Sequence, residues 1–159
     1  MNLFFHLLIY NLAASVLIYG SLAYHPRIWL HRMPPEVRNK VPGKTQGERK
    51  LFIRIALPIV LLLFVYPIVY VIQQETNLVN YFWMLLAFFA GFAIWDTLVL
   101  DILIFCLLTP RFIMIDGTER EDYSNMKYHL TSGAKGLVMS VVFSGSLALL
   151  IIVVKNSIV

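Results

Sequence analysis

Charge is what this sequence has least of. Charged residues make up 14% of its 159 positions and hydrophobic residues 59%. A soluble domain carries roughly a quarter charged residues and about half apolar ones, so an ordinary soluble fold is excluded. Cysteine is nearly absent. With Cys106 alone, the chain can form neither an internal disulfide framework nor a Cys-x-x-Cys pair for thiol exchange or zinc. Long polar stretches are missing too: the longest connected piece between apolar runs is the 27 residues 109–135. Chains below roughly 40 residues seldom fold alone, which argues against a separate soluble domain. There is no internal repeat and no low-complexity tract.

What is present is apolar sequence in long blocks, at 3–24, 51–72, 81–108 and 136–154. At about 1.5 Å per residue, each can cross a hydrocarbon layer roughly 30 Å thick. The expected fold class is an all-α integral membrane protein, a four-transmembrane-helix bundle forming one domain over 1–159. Its helices are expected at about 3–24, 46–72, 81–108 and 136–154, with loops at about 25–45 and 109–135. The opening block lacks a basic leader and exceeds the 7–15 apolar residues typical of a secretory signal, so it is read as helix one.

Orientation follows from the basic residues, which are retained on the cytoplasmic side of transmembrane ends. Arg27, Arg32, Arg38, Lys40, Lys44, Arg49 and Lys50 lie in or beside the first loop, and Arg54 lies just inside helix two. Arg111, Arg120, Lys127 and Lys135 follow in the third loop, and only Lys155 falls on the opposite face. Both termini are therefore expected outside, and both long loops in the cytoplasm, with the cell membrane as the expected location.

Local signals refine the picture. Pro26 ends helix one and Trp29 suits the interface. The spacing Thr45 to Glu48 is a capping box that starts helix two before its apolar part, and Pro58 and Pro67 should bend that helix. Thr118 to Glu121 reads as a second capping box. Tyr123, Met126 and Leu130 then fall on one stripe, predicting a short helix on the inner membrane surface. Ser132, Gly136, Ser140, Ser144 and Ala148 recur every fourth residue, a seam of small side chains on which membrane helices approach closely. Ala87 and Gly91 offer a shorter counterpart.

Asp96 and Asp101 stand inside an apolar block, where a carboxylate is costly unless paired, hydrated or protonated. Arg54 is the expected ion-pair partner of Asp101. In α-helical geometry Asp96 points about 140° away from Asp101, which argues against a two-carboxylate dyad. Asn11, Ser140 and Ser144 are its candidate partners. A second group, His25, Arg27, His31, Arg32 and His129, should gather at the cytoplasmic end as a site for a phosphate or lipid headgroup. The plainer reading is that these residues enforce orientation and touch anionic lipid. Their spacing matches no metal site, and His6, the one histidine in an apolar block, lies near the outer end, so neither metal nor cofactor is expected. Gly43-Lys44-Thr45 imitates the end of a phosphate-binding loop, but Arg38 stands where the first glycine belongs and no strand precedes it.

The excess of basic charge in the first loop, beside a bilayer, favours anionic lipid over nucleic acid as partner. The acidic residues Asp116, Glu119, Glu121 and Asp122 are placed to dock on it as a cap. Three functions remain open. The first is a non-catalytic accessory, scaffold or lipid-binding membrane protein, preferred because no catalytic constellation stands out. The second is a small oligomeric proton- or cation-coupled transporter or channel using Asp96 and Asp101. The third is a membrane enzyme acting on a lipid or phosphate-bearing substrate through His25, Arg27, His31 and His129. A homo-oligomer or a membrane protein partner fits the first two.

Overall fold

In the computed structural model, residues 2–74 and 76–158 are described. They are helical almost throughout, and no strand occurs among them. The main helices are α1 (Leu3–Tyr24), α2 (Pro35–Lys40), α3 (Gln46–Ile72), α4 (Leu78–Leu108) and α5 (Met126–Ile158). Four of them, all but the short α2, are long and apolar enough to cross a membrane. Side chains such as Val16, Val65, Trp83, Leu98 and Val153 stand exposed along their outer faces. Contiguous apolar surface of this kind suits lipid and not water.

The helix starts are capped as the sequence chemistry dictates. The Asn2 carboxamide accepts from Phe5 N–H at 3.2 Å and that of Asn77 from Asn80 N–H at 3.0 Å. The Thr45–Glu48 capping box is fully formed, and α3 runs on through Pro58 and Pro67. The second expected box is displaced by one residue. Asp122 accepts from Glu119 N–H at 2.8 Å, whereas Thr118 donates to Ile115 C=O and pairs with the Tyr123 hydroxyl. Nor does Tyr123 lie on a surface helix. It is fully buried at the end of the short turn Arg120–Tyr123, and Met126 already begins α5. The expected surface stripe is thus the first two turns of α5, which starts ten residues before its apolar block.

The second half of α4 departs most from expectation. From Asp96 to Leu108 the helix is wound with i→i+5 hydrogen bonds, a π-helix of 13 residues. Such winding usually lasts a single turn and recurs at functional sites. It ends at Thr109, in left-handed conformation with φ 38°, whose N–H reaches Ile104 C=O at 2.8 Å.

Two apolar cores hold the molecule. One lies among α3, α4 and α5 and contains Val71, Tyr81, Leu85, Phe89, Ala148 and Ile151. The other joins the two long loops to the ends of α1 and α4 through Leu22, Leu30, Met33, Val37, Val41, Phe105, Ile113, Ile115 and Tyr123. Loops too short to fold alone thus bury a common core. Lys40 to Asp122 at 2.9 Å and Asn125 to Glu36 at 2.7 Å tie their rims together, and the neighbouring carboxylate holds the Lys40 ammonium pKa above its ordinary value.

The small-residue seam of α5 packs against α4 within the chain. Ser140, Ser144 and Ala148 are buried, and Gly136 faces Ala93. The closest approach is at Gly133, where a Cβ would collide with the Thr97 side chain. Backbones meet there because neither helix has bulk to hold them apart.

Candidate functional site

A cavity of about 310 Å³ lies between α1, α3, α4 and α5, beneath the turn Pro26–Arg32. Ile18 and Leu22 of α1, Phe52, Ile59 and Leu63 of α3, and Phe92 and Leu100 of α4 give it apolar walls. Its polar lining is His31, Arg32, Asp96, Asp101, Tyr128, His129 and Ser132. The π-winding favours this arrangement, because i→i+5 bonding turns the chain less per residue than an α-helix and brings residues five apart closer to one face. Asp96 and Asp101 consequently share a face and line one cavity, against the expectation from α-helical geometry.

Asp101 is held by His129 and not by Arg54. His129 Nδ1 stands 3.1 Å from Asp101 Oδ2, while Arg54 is exposed and joins no ion pair among the described residues. The imidazole, 3% exposed, sits beside the Phe105 and Tyr128 rings, and the Tyr128 hydroxyl donates to Arg32 C=O at 3.3 Å. His129 Nε2 is buried without a hydrogen-bond partner. Buried polar atoms in folded proteins are nearly always satisfied, so an orphaned one calls for an explanation. The Asp96 carboxylate likewise makes no hydrogen bond among the described residues, and none of its expected partners reaches it. Asn11 donates to Leu7 C=O, and Ser140 and Ser144 donate to carbonyls of their own helix.

The basic and histidine group divides. His31, Arg32 and His129 line the cavity, whereas Arg27 turns away to pair with Glu48 at 2.6 Å and to donate to Pro42 C=O, fastening the first loop to α3. His25 ends α1 through its backbone N–H to Ser21 C=O and does not line the cavity. Lys44 supports His31 from outside. Its ammonium contacts Ile28 C=O at 2.7 Å and His31 Nδ1 at 2.8 Å, and lies 4.4 Å from the centre of the Phe52 ring. Burial first, then the charges of Lys44 and Arg32, push the His31 pKa down to about 4. Burial also lowers that of Lys44. The ring is therefore neutral near pH 7 and accepts from the ammonium.

Chemically, the site offers a carboxylate-oriented imidazole, a second carboxylate on the same face, one guanidinium and a hydroxyl. A histidine whose Nδ1 is held by a carboxylate and whose Nε2 is free has the geometry of a general base. Among the described residues no three of His, Cys, Asp and Glu converge as a metal-ligand group.

Sequence reasoning missed Tyr128 and Trp29 in the lining, and Gly133 as the point of closest approach. Ser132, assigned to the packing seam, opens into the cavity.

No protein-family model matches this chain, and neither a curated protein nor a solved structure is significantly similar to it.

Proposed function

We propose that this is a four-pass membrane protein with outside termini and a cytoplasmic cap, and that its cavity binds one amphiphile. The observation that carries the reading is the polarity of the cavity, apolar along α1, α3 and α4 and charged beside His129, Asp101, Asp96 and Arg32. Ligand sites are mostly apolar with a few polar groups that fix orientation, and run from roughly 300 to 1,000 Å³. This cavity falls at the lower end of that range. The basic residues collected on the capped face support the orientation.

Filling the cavity tests the binding. Ala56→Trp, introduced into the wall, should reduce the lipid that copurifies per chain to the level of the detergent-exchanged surface. Equal lipid in wild type and variant contradicts the reading. Orientation is tested separately. Cys106 is buried, so Asn77→Cys and Asp116→Cys give clean labelling sites. An impermeant maleimide applied to intact cells should modify the first and not the second, and the reverse pattern contradicts the topology.

A second reading, a membrane enzyme acting on its amphiphile, is favoured by the oriented His129–Asp101 pair. Under it, His129→Ala abolishes hydrolysis of a long-chain fluorogenic ester per folded chain. Unchanged hydrolysis removes the enzyme reading and leaves the binding one intact.

A further inference from the structure

The unmatched groups at the polar end of the cavity are acceptors. The Asp101 carboxylate takes the Nδ1 side of His129 at 3.1 Å, and a carboxylate has no proton to give. In the neutral imidazole, Nε2 then carries the lone pair, and that nitrogen is buried and unpartnered. Asp96, brought to the same face by the π-winding, adds a carboxylate with no hydrogen bond among the described residues. Against these stand one guanidinium, Arg32, the Ser132 hydroxyl and the Nε2–H of His31, whose Nδ1 is taken by Lys44, so that Arg32 is the one charged donor in the lining.

From this balance we infer that the ligand is a neutral, single-chain amphiphile whose head carries hydroxyl groups, one donating to His129 Nε2 and another to Asp96. The inference rests on the amphiphile-binding reading above and names the head group. A phosphate head is disfavoured, because it brings further acceptors and negative charge to two carboxylates and a lone pair, with Arg32 alone to offset them. A donorless head is disfavoured differently. It displaces water from buried acceptors without replacing the hydrogen bonds. Discrimination for a hydroxyl is characteristically strong in sites built to bond it, since the analogue lacking it leaves polar groups unpaired.

The test is equilibrium binding to the whole chain in mild detergent, followed by tryptophan fluorescence, since Trp29 lines the cavity. The probes share one oleoyl-length chain: monooleoylglycerol with two hydroxyls, methyl oleate with none, and oleyl phosphate with an anionic head. Wild type should bind monooleoylglycerol about tenfold or more tighter than methyl oleate, the equivalent of one hydrogen bond, and oleyl phosphate more weakly than monooleoylglycerol. His129→Ala and Asp96→Ala should each shrink the first ratio toward one.

Equal wild-type affinity for monooleoylglycerol and methyl oleate overturns the head-group inference and leaves the binding reading standing. Tightest binding of oleyl phosphate also overturns it, pointing to an anionic lipid. No binding of any probe overturns both. The wild-type comparison requires no variant to fold.

Discussion

At the far end of the helices, where α3 meets α4, Tyr81 is fully buried and its hydroxyl donates to Gln74 C=O at 2.8 Å while accepting from Lys155 at 2.6 Å. Around it, Val71, Leu85, Phe89, Ala148 and Ile151 close without a polar opening. At the capped end the same helices splay around a cavity in which His129 Nε2 and the Asp96 carboxylate make no hydrogen bond among the described residues. The far end bonds the Tyr81 hydroxyl on both sides and is a fastening. The capped end leaves the buried His129 Nε2 unpartnered beside a partly open cavity, and what it lacks describes what it is built to receive. A second contrast lies in helix winding, since α4 is α-helical from Leu78 to Trp95 and π-wound from Asp96 onward. The change falls where the carboxylates begin.

The strongest way to separate the ends is to damage the fastening. Phe89→Ala removes a buried ring that faces Phe64 and Phe143, and should cost about 3–5 kcal/mol in detergent unfolding while bound amphiphile per folded chain is unchanged. Next is Gly133→Ala, which forces a Cβ into the buried Thr97 and should cost about 1–3 kcal/mol through overpacking, read as a lower melting temperature.

Removing either member of the cavity pair should cost about 1–3 kcal/mol by stranding its buried partner. For Asp101→Ala and His129→Ala, the double variant should lose less than the sum of the singles. Strict additivity would deny the pair.

A pH effect separates the ends more finely. His31 has its pKa lowered from 6.5 to about 4 in the folded chain. The unfolded state therefore binds the extra proton first as pH falls. Stability from this group is complete above about 6.5 and declines as pH drops toward 4. His31→Gln should flatten that part of the stability profile, measured as the wild-type difference, and changes at the far end should not. The smallest effect is expected from Lys40→Ala, since Lys40 is itself exposed and the Asp122 carboxylate keeps its bond from Glu119 N–H. Its melting temperature should stay within experimental scatter.

How much of this was legible in the sequence differs by scale. The apolar blocks and the Thr45–Glu48 cap translate directly into α1, α3, α4 and α5, because helix length and capping are local properties. The Asp101–His129 pair was not legible, although both residues were suspects, because pairing depends on how α5 extends below its apolar block to bring His129 beside α4. The common face of Asp96 and Asp101 was missed because a 3.6-residue period was assumed where the helix adopts a five-residue hydrogen-bond span. The joint core of the loops was hidden for another reason. Val37, Ile113 and Tyr123 carry no periodic pattern within their own short segments, and only their meeting makes a core.

Native mass spectrometry of the wild-type chain released from mild detergent tests the occupied cavity most directly. The expected spectrum shows one retained amphiphile per chain, lost in Ala56→Trp and kept in Phe89→Ala. A bare wild-type chain under conditions that preserve its fold, or an adduct indifferent to Ala56→Trp, would contradict a ligand held between the four helices.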